Sequence, residues 1–339
     1  MKSQIIYSQT LPRPGLFPDE TVLFYDSILA KNKDFKNWAH AFRFKIALKS
    51  GENLKTIDSL KSVLNKISKM DVVKSTNLTF VGVGGGTIGD FVGFAASVFL
   101  RGRKLVLIPS TWLAAVDSSH GGKNGLNFLK TKNQLGSFYL PEKIYICKSL
   151  LLGQPPERLT ESYGEIIKAA VLCDRHLFAR IEKLPADLEI FKLLPKLIAL
   201  KYRIVEQDFL EKNGKRRLLN LGHTMGHVFE TAYGWPHGIS VLLGLQFSMR
   251  WSFHQGRLKT DDFFRISLLI DSLDLKQDLK TALCLLKRPK LVELLGKDKK
   301  LTAHNRLDFI FVNQIGKCQR QSVTIAEILN EVNRQNLEY

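Results

Sequence analysis

The sequence has little cysteine. Cys147, Cys173, Cys284 and Cys318 are scattered over 339 residues, and no two form a CxxC pair. That excludes a thiolate zinc site and a disulfide framework, and it points to the cytoplasm. Long apolar runs are also missing. The most apolar stretch, KLVLIPSTWLAAV, is broken by proline and polar residues, short of the roughly 20 residues of a membrane helix. The N-terminal MKSQIIYSQTLPRPG has no apolar core and no small-residue cleavage site, so no signal peptide is expected. There is no internal repeat and no low-complexity tract. Acidic residues are few against basic ones, 32 to 50, a net charge of +18. The basic residues are spread from end to end with no nucleic-acid motif, so no nucleic-acid partner is expected. A lysine-rich surface accounts for the charge, or a basic cleft that attracts a small acidic substrate.

What is present indicates two domains, because the chain is longer than one core usually serves. The first half alternates strands and helices. VLFYD (22–26), FRFKIAL (42–48), LTFVGVGG (78–85), KLVLIP (104–109) and KIYIC (143–147) read as strands. Residues 54–69 and 87–100 have helical patterns. This alternation predicts a Rossmann-like parallel sheet over residues 1–150. From 151 to 339 helical patterns dominate until LDFIFVNQIG, which predicts a mainly helical second domain.

Four segments carry chemistry. GVGGGTIGD (82–90) lies between a strand and a helix, and Gly84, Gly86 and Gly89 match GxGxxG. Backbone N–H groups at such a turn can approach a pyrophosphate. The acid usually found about 20 residues later to bind a ribose is absent, and Asp26 and Glu52 upstream are the candidates instead. VDSSHGGKNGLNFLKTKNQLG (116–136) reads as a polar loop beyond a strand end, with Asp117, Lys123, Asn124, Asn127, Lys132 and Asn133 among glycines. In ESYGEIIKAA (161–170), Glu161, Glu165 and Lys168 share one face of a helix. LNLGHTMGH (219–227) and GWPHG bring three of the eight histidines, His223, His227 and His237, within fifteen residues. Helical spacing places His223 beside His227, but without the glutamate of HExxH. Two histidines and one carboxylate would suit a catalytic zinc; spacing does not choose the pair.

In this order and spacing, GGGTIGDFVGF, FLRG, PSTWLAAVDSSHGGKNGLN, KNQLGSFYLP, PERLTESYGEIIK, RRLLNLGHTMGH, PHG and KDKK resemble the 3-dehydroquinate synthase family. The resemblance implies an N-terminal NAD-binding α/β domain and a helical C-terminal domain. It implies that Glu165, His223 and His237 hold zinc or cobalt. NAD would be contacted by Glu52, Lys55, Gly85, Gly86, Thr87, Asp90, Ser110, Thr111 and Lys132, joined by Asp26, Gly89, Asp117 and Lys123. The substrate would be lined by Asp117, Lys123, Asn133, Lys168, Lys201, Arg216, Asn220 and one of Lys299 or Lys300. His227 would move protons, and Lys123, Lys168, Arg216 and Asn220 would assist catalysis. Arg101 would reach the phosphate bound to the neighbouring subunit, implying a homodimer. The implied reaction converts 3-deoxy-D-arabino-heptulosonate 7-phosphate to 3-dehydroquinate and phosphate. Another sugar-phosphate cyclase of the superfamily, and a metal-dependent polyol dehydrogenase of related fold, are the alternatives. Departures from the family pattern are His120, Asn124, Ile239, DFLEKNGKRR and a short segment between His227 and His237.

Overall fold

The computed structural model describes residues 3–129, 131–297 and 306–338, so Lys299 and Lys300 lie outside the described residues. The chain divides into two compact units, residues 1–158 and 159–339.

The first unit is built on a sheet of six parallel strands. In chain order its strands are β1 (Gln4–Ser8), β2 (Thr21–Asp26), β3 (Phe44–Leu48), β4 (Thr79–Gly84) and β5 (Lys104–Pro109), followed by an antiparallel hairpin of β6 (Lys123–Phe128) and β7 (Thr131–Phe138), and then β8 (Lys143–Cys147). The sheet order is β1-β8-β5-β4-β2-β3. Alternate residues of the central strands face opposite layers. Val22, Phe24 and Phe80 pack with the helices Ile57–Ile67 and Gly86–Val98, and Leu23, Val81 and Val83 pack with the helix Lys33–His40. Both faces are covered, so the strands read as nearly continuous apolar runs. Each fully buried side chain contributes about 1.5–3 kcal/mol. From β2 the chain moves outward to β3, and from β4 it moves the other way to β5. The carboxyl ends of β2 and β4 therefore flank a topological switch point, where open sheets of this type bind ligands. Asp26 ends one of these strands and the glycine turn ends the other.

Two elements differ from the sequence expectation. Residues 116–136 are not a solvated loop, because the β6–β7 hairpin occupies most of the segment. Leu126 is buried, and the Asn124 amide donates to the carbonyls of Gly122 and Tyr139 at 3.1 and 2.9 Å. The edge strand β1 was not foreseen. It is five residues long and pairs only with β8.

The second unit is mainly helical. Its core joins the helix His237–His254 to a C-terminal hairpin, β9 (Arg306–Gln314) and β10 (Lys317–Thr324), and to the last helix, Ile325–Leu337. Trp251, Phe309 and Phe311 pack with ring centroids 4.6 to 5.1 Å apart. Glycine lets the site-bearing helices touch. A Cβ on Gly238 would overlap the Glu161 carbonyl, and one on Gly164 would overlap the Gly238 carbonyl. These two positions bring the start of the helix His237–His254 against the helix Pro156–Cys173. Among the described residues no helix is long and apolar enough to cross a membrane.

Candidate active site

In the second unit, Glu165, His223 and His237 converge. Glu165 lies on the helix Pro156–Cys173, and the two histidines each open a helix, His223–Tyr233 and His237–His254. One ligand atom from each lies within 4.8 Å of the others. Glu165 Oε1 is 3.4 Å from His223 Nε2 and 3.5 Å from His237 Nε2. The tautomers follow from the acceptors on the far side of each ring. His223 Nδ1 faces the Leu221 carbonyl at 3.2 Å, and His237 Nδ1 faces Glu230 Oε2 at 2.8 Å. Both partners can only accept, so each ring carries a proton on Nδ1 and turns its Nε2 toward the carboxylate. Glu165 is buried, and its Oε1 has no hydrogen-bond partner among the described residues. A buried carboxylate faced by two half-buried imidazole nitrogens fits a cation.

Electrostatics around the trio agree. Burial opposes ionisation of Glu165, but the Lys168 ammonium in contact with it, with His237, holds its carboxyl below the usual range. Burial also opposes charging of His237, yet Glu165 and Glu230 raise its pKa to about 10 with no ion bound. The His227 ring is 5.2 Å from His223 and 6.2 Å from His237, so it neighbours the trio without joining it. The 3-10 turn Arg216–Asn220 precedes His223. Arg216 is buried, and its Nη1 donates to the Phe209 carbonyl at 2.7 Å. Asp208 folds that loop by accepting from the N–H groups of Arg216 and Asn213 at 3.0 and 3.1 Å. Asn220 Nδ2 is buried with no hydrogen-bond partner among the described residues. Lys201 is buried on the helix Asp187–Gln207.

In the first unit, Gly85 caps the helix Gly86–Val98 with no side-chain hydrogen bond, leaving the first N–H groups of the helix to another acceptor. Ser110 N donates to the Gly84 carbonyl, and Thr111 stands beside Gly85, where a Cβ would meet it at 3.3 Å. Thr87 Oγ1 accepts from Gly51 N at 3.2 Å and so ties the loop carrying Glu52 to the helix start. Lys55 is buried; its ammonium lies 2.6 Å from Asp90 and 2.5 Å from Asn133 Oδ1. Burial pushes the Asp90 carboxyl up against the pull of Lys55, and Glu52 and Asp117 push the same way. Asn127 bonds Glu52 Oε2 at 2.7 Å and Asn133 N at 2.9 Å. Asp26 caps the turn Ser27–Lys31, while Gly89 sits in the first turns of the helix Gly86–Val98. Lys123 starts β6, exposed, and Lys132 is exposed on β7.

Protein-family comparison places the chain. The N-terminal 3-dehydroquinate synthase model matches residues 45–161 and the C-terminal model matches residues 162–301. The chain belongs to the 3-dehydroquinate synthase family. It is 38% identical to the 3-dehydroquinate synthase of Methylacidiphilum infernorum over 62% of this chain; the match spans 59% of that relative's length. It is 33% identical to the 3-dehydroquinate synthase of Campylobacter concisus over 87% of this chain and 82% of the relative. Its fold is similar to that of 2-deoxy-scyllo-inosose synthase solved with carbaglucose-6-phosphate, NAD+ and Co2+. The TM-score is 0.82 at 19% identity, covering 97% of this chain and 96% of the other.

Within the family pattern, three departures acquire structural roles. Asn124 packs against Gly93, where a Cβ would collide with its side chain, and it stitches the hairpin. His120 is fully buried, with Nε2 against the Ala115 carbonyl. Ile239 is buried apolar surface. Two residues that hold candidate site residues in place escaped sequence reasoning, Glu230 and Asp208. The available signals were a carboxylate one helical turn after His227 and an acid ahead of Asn213-Gly214.

Proposed function

We propose that this chain converts 3-deoxy-D-arabino-heptulosonate 7-phosphate to 3-dehydroquinate and phosphate, using NAD and one zinc or cobalt ion, within the shikimate pathway in the cytoplasm. The observation that carries the reading is the convergence of one ligand atom each from buried Glu165 and half-buried His223 and His237, in a chain of this family. The related fold that holds NAD+ and Co2+ supports the same cofactor classes.

When bound, NAD reversibly accepts hydride from a secondary alcohol, and the cation acidifies that alcohol and polarises the resulting ketone. The chain's own residues do the rest. Glu165, His223 and His237 hold the cation. Lys168, Lys201, Arg216 and Asn220 offer buried cationic and amide donors for the substrate carboxylate and hydroxyls. His227 takes and returns a proton, a role imidazole commonly serves. In the first unit, the uncapped helix start at Gly85 and Gly86 receives the pyrophosphate. Thr87, Gly89, Ser110, Thr111, Lys132, Asp26, Glu52 and the Lys55–Asp90 pair shape the rest of the dinucleotide site. Asp117, Lys123 and Asn133 serve the substrate, with Lys123 and Asn133 on its phosphate. One C–O bond to phosphate breaks, one C–C bond closes the ring, and NAD ends in its starting state, so the net reaction is that of a lyase. Keeping one substrate oriented through these steps is the enzyme's main contribution.

A homodimer in which Arg101 reaches the partner's substrate phosphate belongs to this reading. The turn at Phe99–Arg101 supports it, because Leu100 and Arg101 hold left-handed backbone at φ 47° and 67° with Val98 and Leu100 exposed.

The test is a substrate panel with product analysis. The heptulosonate phosphate should give 3-dehydroquinate. Turnover of glucose 6-phosphate instead, which lacks the carboxylate, would assign a sibling cyclase. NADH accumulating with a polyol would assign a dehydrogenase.

A further inference from the structure

We infer that Glu230 is a positioning residue for the metal, fixing the tautomer and raising the donor strength of His237; the inference rests on the metal-binding reading above. His237 is the first residue of an 18-residue helix whose first turn contains no acid. The positive end of a helix weakens an imidazole as an electron-pair donor. Glu230 Oε2, 2.8 Å from His237 Nδ1, offsets this by drawing the proton to Nδ1 and directing the Nε2 lone pair toward Glu165. On the other ligand, His223 Nδ1 faces the neutral Leu221 carbonyl at 3.2 Å. Ile239, two residues beyond His237 where the family usually has glutamate, is buried and brings no charge.

The local chain geometry holds Glu230 in place. Its backbone carbonyl accepts from Gly234 N at 3.0 Å, and Gly234 turns the chain at φ 69°. Trp235, packed at a tilt against Tyr233 with centroids 4.5 Å apart, and Pro236 then lead into His237. The short segment between His227 and His237 thus places the carboxylate and its imidazole on either side of one turn. A carboxylate behind a ligating histidine commonly changes metal affinity by about 10–100-fold.

The experiment compares full-length wild type, Glu230→Gln and Glu230→Asp after metal removal. Zinc affinity is measured by competition with a chromogenic chelator, and the ligand field is read from the visible spectrum of the cobalt-loaded protein. Circular dichroism monitors folding. Glu230→Gln should bind zinc about 10–100-fold more weakly, with a shifted cobalt spectrum and unchanged helix content. Glu230→Asp keeps the charge but shortens the reach and should fall between; it decides the matter if Glu230→Gln does not fold. Unchanged affinity and cobalt spectrum in the folded variants would overturn the role of Glu230 while leaving the metal trio intact. A wild type that takes up no stoichiometric metal would overturn the trio and this inference with it.

Discussion

Lys123 opens strand β6 as an exposed residue, and in this account it binds the substrate phosphate. Lys123→Ala should lower kcat/KM by about 100-fold or more, the scale of losing one preorganised charge contact, with an unchanged melting temperature. Wild-type kcat/KM in that variant would remove the assignment. His237 carries a pH signature. In metal-stripped protein its pKa stands near 10, above the ordinary 6.5, because Glu165 and Glu230 outweigh burial. The folded state then binds the extra proton, so its stabilising contribution is complete below pH 6.5 and is lost as pH rises through about 10. The metal-stripped protein should therefore lose thermal stability between pH 7 and pH 10, and the loaded protein, holding no such proton, should lose less. Calorimetric melts of both forms make the comparison, and identical pH dependence would contradict the arrangement. The sequence exposed the three histidines but not their division of labour. Helical spacing favours His223 with His227, whereas the trio that the structure brings together includes Glu165, 58 residues before His223, and depends on a helix that starts at His237.

Elements bring these residues together through close backbone approach. Gly238→Ala would drive a methyl group into the Glu161 carbonyl. The two helices must part, at a cost of about 1–3 kcal/mol or more. The expected result is a lowered melting temperature together with weakened metal binding, measured on the same preparation; normal metal affinity would show that the contact does not position His237. The central strands were legible because both faces are buried and their apolar runs are nearly continuous. The β6–β7 hairpin was hidden because side-chain amides fix it instead of an apolar pattern. Asn124 bonds two carbonyls, Asn127 links Glu52 to Asn133, and Lys55 bonds Asn133. β1 was hidden by its brevity and edge position. Gly84-Gly85-Gly86 was readable as a nucleotide turn, but the switch point between β2 and β4 that gives it meaning needs the strand order, which no local pattern contains.

At the scale of the molecule, the two units differ in what they offer: a parallel sheet with an uncapped helix at its glycine turn, and a helical unit where Glu165, His223 and His237 converge. The family is shown by matches to both halves of the chain. The surplus of 50 basic over 32 acidic residues suits a substrate bearing a carboxylate and a phosphate. The most direct test of the account follows phosphate and NADH together. Protein stripped of metal, then supplied with zinc or cobalt, catalytic NAD and the heptulosonate phosphate, should release phosphate over many turnovers per NAD with no accumulation of NADH, and should release none before the ion is restored. Full phosphate release without the ion, or NADH building up in step with substrate loss, would contradict the account.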